Sequence, residues 1–183
     1  MRREDPNREY LLIVADAIGD LCNEIVFVGG SVAGLLLTDA VADDADTGVL
    51  FDLMPTDPAV LGFSNPWYPE ALNTAMRMRL SDRIEIRVIS GPAFVATKLE
   101  AFMSRGGGDI LSSHDLEDIL NVVDGRPSIV EELSAASEAL QKFVRQTLGA
   151  LLARPDLENY LPGLLSDENR TAVVLSRLEM MAA

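Results

Sequence analysis

The spacing of apolar residues changes near residue 90, and this change limits the folds that the chain can adopt. Before it, apolar and polar residues alternate in two short runs, at 76–80 and 84–88. This alternation predicts two half-buried strands joined by a short turn, a β-hairpin. After it, apolar residues recur at helical spacing. We therefore predict an α+β fold, with an α/β half over residues 1–90 and a helical half over residues 91–183 that pack as one compact unit.

Two further buried strands are predicted in the first half, each from a short apolar run. The run at 25–28 stops at Gly29, Gly30 and Ser31, which predicts a tight turn in which Ser31 caps a short helix over residues 32–37. The second run, at 49–54, contains an aspartate. Together with the hairpin these runs predict a reduced, mixed sheet flanked by helices.

Residues that begin and end helices divide the second half of the chain. Pro92 and a glycine triplet bound one predicted helix. Ser112 or Ser113 is expected to cap a second helix, over residues 114–123, whose first turn is acidic. The remainder, from residue 128 onward, is predicted to be helical, with interruptions near two prolines.

The charge of the chain restricts its partners. Its 183 residues include 29 Asp and Glu against 15 Lys and Arg, a net charge of −14. Such a surface repels phosphate backbones and anionic lipid, so we expect no extended nucleic-acid surface and no membrane binding. Contact with a nucleotide or RNA would require a local basic patch or a metal ion. The candidate patches are Arg77, Arg79, Arg83 and Arg87, and Arg2, Arg3 and Arg8.

One cysteine and one histidine exclude two further classes of protein. The single Cys22 cannot form an internal disulfide, and its apolar neighbours predict that it is buried. The single His114 excludes zinc sites built on several His and Cys ligands. No apolar run approaches the roughly 20 residues of a membrane span, and the first residues do not resemble a signal peptide. We expect a soluble, cytoplasmic protein.

Two groups of residues could contact phosphate or metal. The glycine turn offers backbone N–H groups to a phosphate, although most such turns only reverse the chain. Asp44 and Asp46 are two residues apart, so on extended chain they share a face. Asp52 interrupts an apolar strand, where a carboxylate is costly unless it is paired or bound to a metal. These three acids could hold Mg²⁺ beside nucleotide phosphates, or be solvated.

Lys98 lies within an apolar helical stripe that includes Phe94 and Phe102. Such a lysine extends its amine to solvent, pairs with an acid or serves a site. Asp115 and Asp118 share a face of the next helix, so either would reach Lys98 if the two helices pack together. The position of these acids in the first turn is also explained by the helix dipole alone.

Four stretches of the sequence resemble nucleotidyltransferases of the abortive-infection toxin type, which have a reduced polymerase-β-like fold. They are VFVGGSVAGLLLTD, VLFDLMPTDPAVLGFSNPWYPEAL, RIEIRVISGPAFVATKLEAF and RGGGDILSSHDLEDILNVVDGRP, within residues 10–135. The resemblance implies that Mg²⁺ or Mn²⁺ supports transfer of a nucleotide from an NTP to an acceptor such as tRNA. It also implies a toxin with an antitoxin protein as partner.

The resemblance assigns roles to individual residues. Gly29, Gly30 and Ser31 would hold the triphosphate, and Lys98 would contact a phosphate. The third carboxylate of the metal triad falls on Asp52, and Asp44 and Asp46 match the spacing of the first two. The family's late acid falls on Asp115, which makes His114 and Asp115 the counterpart of its usual pair of a basic residue and an aspartate.

The chain departs from the family pattern after the glycine turn. Only 20 residues separate Ser31 from Asp52, and five separate Asp46 from Asp52. A crossover between parallel strands needs about a dozen residues, so a strand–helix–strand portion is missing. Three alternatives stay open: an active nucleotidyltransferase, a catalytically inactive relative that acts as a binding or partner module, and a structural domain whose acids are solvated.

Overall fold

The computed structural model describes residues 7–38, 65–105, 110–111 and 113–183. The predicted strand at 49–54 lies outside these residues, as do the candidate metal ligands Asp44, Asp46 and Asp52. The described part is mostly helical with a small two-stranded antiparallel sheet, which confirms the mixed α+β class.

The elements of the first half are short. Helix α1 spans Arg8–Ile18 and continues into a 3-10 helix, Gly19–Asn23. A second 3-10 helix, Gly30–Val32, leads into α2, Ala33–Leu36. Helix α3 spans Tyr68–Asn73, and strands β1 and β2 span Met76–Arg79 and Glu85–Val88.

The predicted hairpin is confirmed. Strands β1 and β2 pair antiparallel in a register that places Met76 opposite Val88 and Arg79 opposite Glu85. The turn is closed by the backbone N–H of Leu80, which donates to the carbonyl of Ile84 (2.9 Å). Alternate residues are more buried, as expected for a sheet with one face on the core.

The strand predicted at residues 25–28 is reduced to a single parallel bridge between Phe27 and Val88. The N–H of Phe27 donates to the carbonyl of Arg87 (2.8 Å), and the N–H of Ile89 donates to the carbonyl of Phe27 (3.0 Å). The pairing extends no further because the chain turns at Gly29, whose φ is +85°.

The prediction that Ser31 caps the following helix is wrong. Ser31 lies inside the 3-10 helix, and the residue that precedes α2 is Val32, which has no side-chain cap. The physical reason is that the preceding glycines let the chain begin to coil at Gly30, before Ser31 is reached.

The helices of the second half begin and end near the residues that were predicted to bound them. They are α4 Gly91–Arg105, α5 His114–Gly125, α6 Ile129–Ser134, α7 Glu138–Leu152, α8 Leu157–Tyr160 and α9 Thr171–Ala182. Ser113 caps α5, because its side chain accepts a hydrogen bond from the N–H of Leu116 (3.2 Å). The predicted interruptions near Pro155 and Pro162 are confirmed, since α7 ends at Leu152 and a 3-10 helix spans Leu161–Leu164.

Helix α3 was not predicted from the sequence. Pro69 lies in the first turn of α3, where its missing N–H costs nothing. Just before this helix, the ring of Trp67 packs against Phe143 of α7, with 4.9 Å between the ring centroids. This contact joins the two halves of the chain.

One hydrophobic cluster includes buried residues from both halves. Leu11 of α1 and Ile86 of β2 belong to it, together with Phe94 and Leu99 of α4 and Leu120 of α5. Helix α4 is therefore central, and its third turn carries Lys98.

Candidate functional site

Lys98 is held in an apolar setting by the helix that carries it. Phe94, Leu99 and Phe102 of α4 are buried in the core, and the Lys98 side chain is only 14% exposed. Its Nζ lies 5.9 Å from the centre of the Phe94 ring. A charge in this position needs partners to offset the cost of removing it from water.

Two carboxylates of the adjacent helix supply these partners. Lys98 Nζ donates to Asp115 Oδ1 at 2.9 Å and also pairs with Asp118 Oδ2. The two acids are three residues apart near the start of α5, so they lie on one face of it. The prediction that either acid would reach Lys98 is confirmed, and in fact both do. We call these three residues the lysine cluster.

The environment shifts the pKa values of Lys98 and Asp118. Burial by itself lowers the pKa of Lys98, but the ion pairs with Asp118 and Asp115 outweigh it, so the pKa lies above its ordinary value and the amine stays charged. Burial raises the pKa of Asp118; Lys98 partly opposes this, while Asp115 and Glu117 add to it. Two acids share one cation, so the cluster carries surplus negative charge.

The glycine turn packs against the lysine cluster. A Cβ atom added at Gly30 would lie 3.1 Å from Asp118 Oδ2, closer than an ordinary contact. Gly29 has φ +85° and ψ −176°, a conformation that is essentially restricted to glycine. Gly30 therefore lets bare backbone approach the carboxylate of Asp118, and three distant segments of sequence meet at one place.

The chain after the glycine turn is also held along α5. The N–H of Thr38 donates to the carbonyl of Gly125 (2.6 Å), and Arg126 Nη1 donates to the carbonyl of Leu36 (2.7 Å). The segment that begins against Asp118 at one end of α5 thus ends against the other end of the same helix. Helix α5 fixes the position of the turn.

A second group of buried charges occupies the C-terminal end of α5. Arg126 Nε donates to both carboxylate oxygens of Glu132, at 3.0 and 2.9 Å. Arg170 Nε donates to Asp124 Oδ1 at 2.7 Å, and Arg177 Nη1 donates to the carbonyl of Val123 at 2.8 Å. We call these five residues the arginine lock: Asp124, Arg126, Glu132, Arg170 and Arg177. The arginine lock was not predicted from the sequence. The sequence feature that points to it is Arg126, which precedes Pro127 at the end of α5.

The structure brings together some of the residues assigned from sequence. Gly30 lies against Asp118 of the lysine cluster, which contains Lys98 and Asp115, and Gly29 and Ser31 belong to the same turn as Gly30. Sequence reasoning ranked Asp118 only as an alternative to Asp115, and its contact with Gly30 was not foreseen.

His114 and Asp115 have different surroundings, although they are neighbours in sequence. The His114 side chain is 94% exposed and lies 3.0 Å from Glu117 Oε2, measured from Nδ1. Asp115, by contrast, is largely buried beside Lys98. The resemblance would treat the two as a pair, but only Asp115 lies in the lysine cluster.

The described residues do not by themselves fit a metal site. Among them, no group of three His, Cys, Asp or Glu side chains is placed to hold an ion, and Asp115 and Asp118 are both engaged by Lys98. No helix in the described ranges is long and apolar enough to cross a membrane. Comparison of the chain with protein-family models, curated proteins and solved structures gives no match.

Proposed function

We propose that the chain is a nucleotidyltransferase-like protein that binds an NTP at the glycine turn and transfers its nucleotide to an acceptor such as tRNA, as a toxin of a toxin–antitoxin pair. The observation that carries the proposal is the contact between Gly30 and Asp118, which joins the turn to the lysine cluster. The same segments carry the sequence resemblance.

The chemistry of these residues suits a triphosphate. Gly29 and Gly30 leave backbone uncovered, so phosphate oxygens can approach the N–H groups of the turn. Lys98 stays charged at neutral pH and lies beside the turn, so it would neutralise phosphate charge. Asp115 and Asp118 hold the amine in position while no phosphate is bound.

The surplus acid of the lysine cluster opposes an anion, so a cation has to accompany the phosphates. The resemblance gives this role to Mg²⁺ or Mn²⁺ on Asp44, Asp46 and Asp52, which lie outside the described residues. The described carboxylates alone supply no such site.

Label transfer tests this proposal. The intact protein is incubated with each labelled NTP, Mg²⁺ or Mn²⁺ and total tRNA, and labelled RNA or protein is then measured. We expect labelling that is lost in Asp52→Ala and in Lys98→Met but kept in Lys142→Met, which removes an exposed lysine of α7. Absence of labelling, together with absence of metal-dependent NTP binding in a thermal-shift titration, would exclude the enzyme.

The second candidate is a catalytically inactive relative that acts as a binding or partner module. It is favoured by the engagement of Lys98 with two carboxylates, which leaves less of its charge for a phosphate. The short segment between Ser31 and Asp52 favours it as well. NTP binding without label transfer would support this candidate over the first.

A further inference from the structure

The outer face of the hairpin carries most of its charge. Strand β1 presents Arg77 and Arg79 on this face, and β2 presents Glu85 and Arg87, while Ile86 points into the core. The Arg77 side chain is 68% exposed. We call these four charged residues the arginine face.

The arrangement of the arginine face is unfavourable for the hairpin by itself. The register places Arg77 directly opposite Arg87, and like charges at such positions destabilise an antiparallel pair. Glu85 offsets part of this cost, because Arg77 Nη1 donates to Glu85 Oε1 at 2.8 Å. Three guanidinium groups still share one carboxylate, so the face is positive on a chain whose net charge is −14.

The guanidinium groups of this face differ in how many hydrogen bonds and ion pairs they form within the protein. Arg87 is anchored, because its Nη2 donates to the carbonyl of Leu72 (2.8 Å). The guanidinium of Arg79 forms no hydrogen bond or ion pair with any residue in the described ranges. The buried bases Lys98, Arg126 and Arg170 are instead all paired with acids.

Arg83, at the turn of the hairpin, does not extend this positive surface. It lines a groove of about 330 Å³ between the hairpin and the first helical segment, and Asp16, Asp20 and Glu85 line the same groove. Asp16 and Asp20 offset its charge locally, since Glu85 already pairs with Arg77. The surplus therefore belongs to the two strands.

We propose that the arginine face binds the phosphate backbone of a single-stranded nucleic acid. Guanidinium groups match phosphate oxygens in two-point contacts, and residues at alternate strand positions lie about 7 Å apart, so neighbouring side chains can reach different phosphates. A polynucleotide presents phosphates at regular intervals whatever its sequence, whereas acids in a peptide are rarely so regular. The overall charge of −14 limits the contact to a few phosphates.

The arginine face is connected to the glycine turn through the sheet. Val88 of β2 bridges to Phe27, two residues before Gly29, and β2 leads through Ser90 into α4. A strand on this face would thus be held on the element that positions the proposed nucleotide site. The idea that the bound strand is the acceptor rests on the proposed function. The binding of the strand itself does not depend on that function.

Binding of a short, fluorescently labelled polyuridine strand to the intact protein at low salt tests the proposal. The double variant Arg77→Gln/Arg79→Gln is compared with Lys142→Gln/Arg145→Gln, which removes the same charge from exposed positions of α7. We expect roughly tenfold weaker binding for the hairpin variant only, and a salt slope smaller by about 1.4, which corresponds to two phosphate contacts.

Three results would overturn the proposal. Equal weakening in both double variants would show a general effect of charge. Competition by a polyglutamate peptide as strong as that by RNA would assign the face to an acidic protein partner. Aggregation of the hairpin variant with unchanged RNA binding would show that the arginines only protect an edge strand. Label transfer is measured in parallel, so failure of strand binding is distinguished from failure of the enzyme.

Discussion

Helix α5 carries buried charges at both ends, and the two groups are built differently. At its C-terminal end, the arginine lock places three guanidinium groups against two carboxylates and several backbone carbonyls. At its N-terminal end, the lysine cluster places one amine against two carboxylates. The first group carries one surplus positive charge, which backbone carbonyls at the end of α5 accept, whereas the second carries one surplus negative charge.

The helix dipole favours the sign of the surplus charge at each end, but the two groups differ in what they contact. Cations are favoured beside the last carbonyls of a helix and acids beside its first N–H groups. The arginine lock uses this to tie α9 and the end of α2 to α5, which is a structural role. The lysine cluster instead faces the uncovered backbone at Gly30, where a bound ligand can change the net charge of the cluster.

Removal of Arg126 should have the largest effect on stability. Arg126→Met leaves Glu132 without its cationic partner and frees the carbonyl of Leu36, so we expect a loss of about 3–4 kcal/mol, as for other buried pairs that lose one member. Urea unfolding measures it. Arg154→Met, which breaks the more exposed pair with Asp156, serves as the control and should cost less than about 1 kcal/mol. Equal losses would show that the lock contributes no more than a surface pair.

Removal of Lys98 should cost less and should depend on pH. Lys98→Met leaves Asp115 and Asp118 close together and partly buried, so we expect a loss of about 2 kcal/mol at pH 7. The two acids then repel each other, which raises the pKa of Asp118 further above its ordinary value of 3.8. The folded state then binds more protons than the unfolded state, so the loss should shrink as pH falls from 7 toward 4.

The intact protein should show a second pH effect, at the alkaline side. The pKa of Lys98 is raised in the folded state, so its contribution to stability is complete below pH 10.5 and is lost as pH rises beyond that value. Urea unfolding at several pH values, with Lys142→Met as the control, follows both effects. A loss in Lys98→Met that is constant between pH 4 and 7 would contradict the surplus of acid.

The two glycines of the turn should respond differently to alanine. Gly29→Ala forces a side chain into a conformation restricted to glycine, so we expect a loss of about 1.5 kcal/mol although its surroundings are open. Gly30→Ala has no such backbone conflict and should cost about 0.5 kcal/mol, because Asp118 must move by a few tenths of an ångström. If the turn binds a triphosphate, Gly30→Ala should nonetheless abolish the thermal shift caused by NTP. An unchanged shift would separate the turn from the nucleotide.

The smallest effect is expected for Asp115→Asn. Asp118 still pairs with Lys98 in this variant, so the surplus charge is removed and we expect a change in stability of about 0.5 kcal/mol or less. Asp124→Asn, at the opposite end of the helix, should cost more because it removes the charge of a carboxylate that is almost fully buried and accepts from Arg170 Nε at 2.7 Å. If the unfolding curves show a larger loss of stability for Asp115→Asn than for Asp124→Asn, the proposed difference between the two ends of α5 is wrong.

The sequence was sufficient to predict those helices and strands that depend on the pattern of neighbouring residues. Alternation at Met76–Arg79 and Glu85–Val88 was sufficient for the hairpin, and a serine at 112 or 113 followed by an acidic turn was sufficient to place the start of α5 within one residue. Residues that act through distant partners were harder to predict. Nothing in the local pattern of Arg126 shows that its guanidinium would meet Glu132 and the carbonyl of Leu36.

The candidate site was predictable in part for the same reason. The spacing of Asp115 and Asp118 showed that both could face Lys98, because helical geometry fixes their face. It did not show that both acids would bind at once, nor that Gly30 would lie against Asp118. Those contacts depend on how α2 and α4 pack on α5, which involves residues far apart in sequence.

The contact between Trp67 and Phe143 provides an optical signal. Trp67 is the only tryptophan of the chain, and its buried indole nitrogen has no hydrogen-bond partner in the described part. Indole emission shifts to longer wavelength when water reaches the ring. The intrinsic fluorescence of the protein therefore reports whether α7 remains docked on the first half, with no label attached.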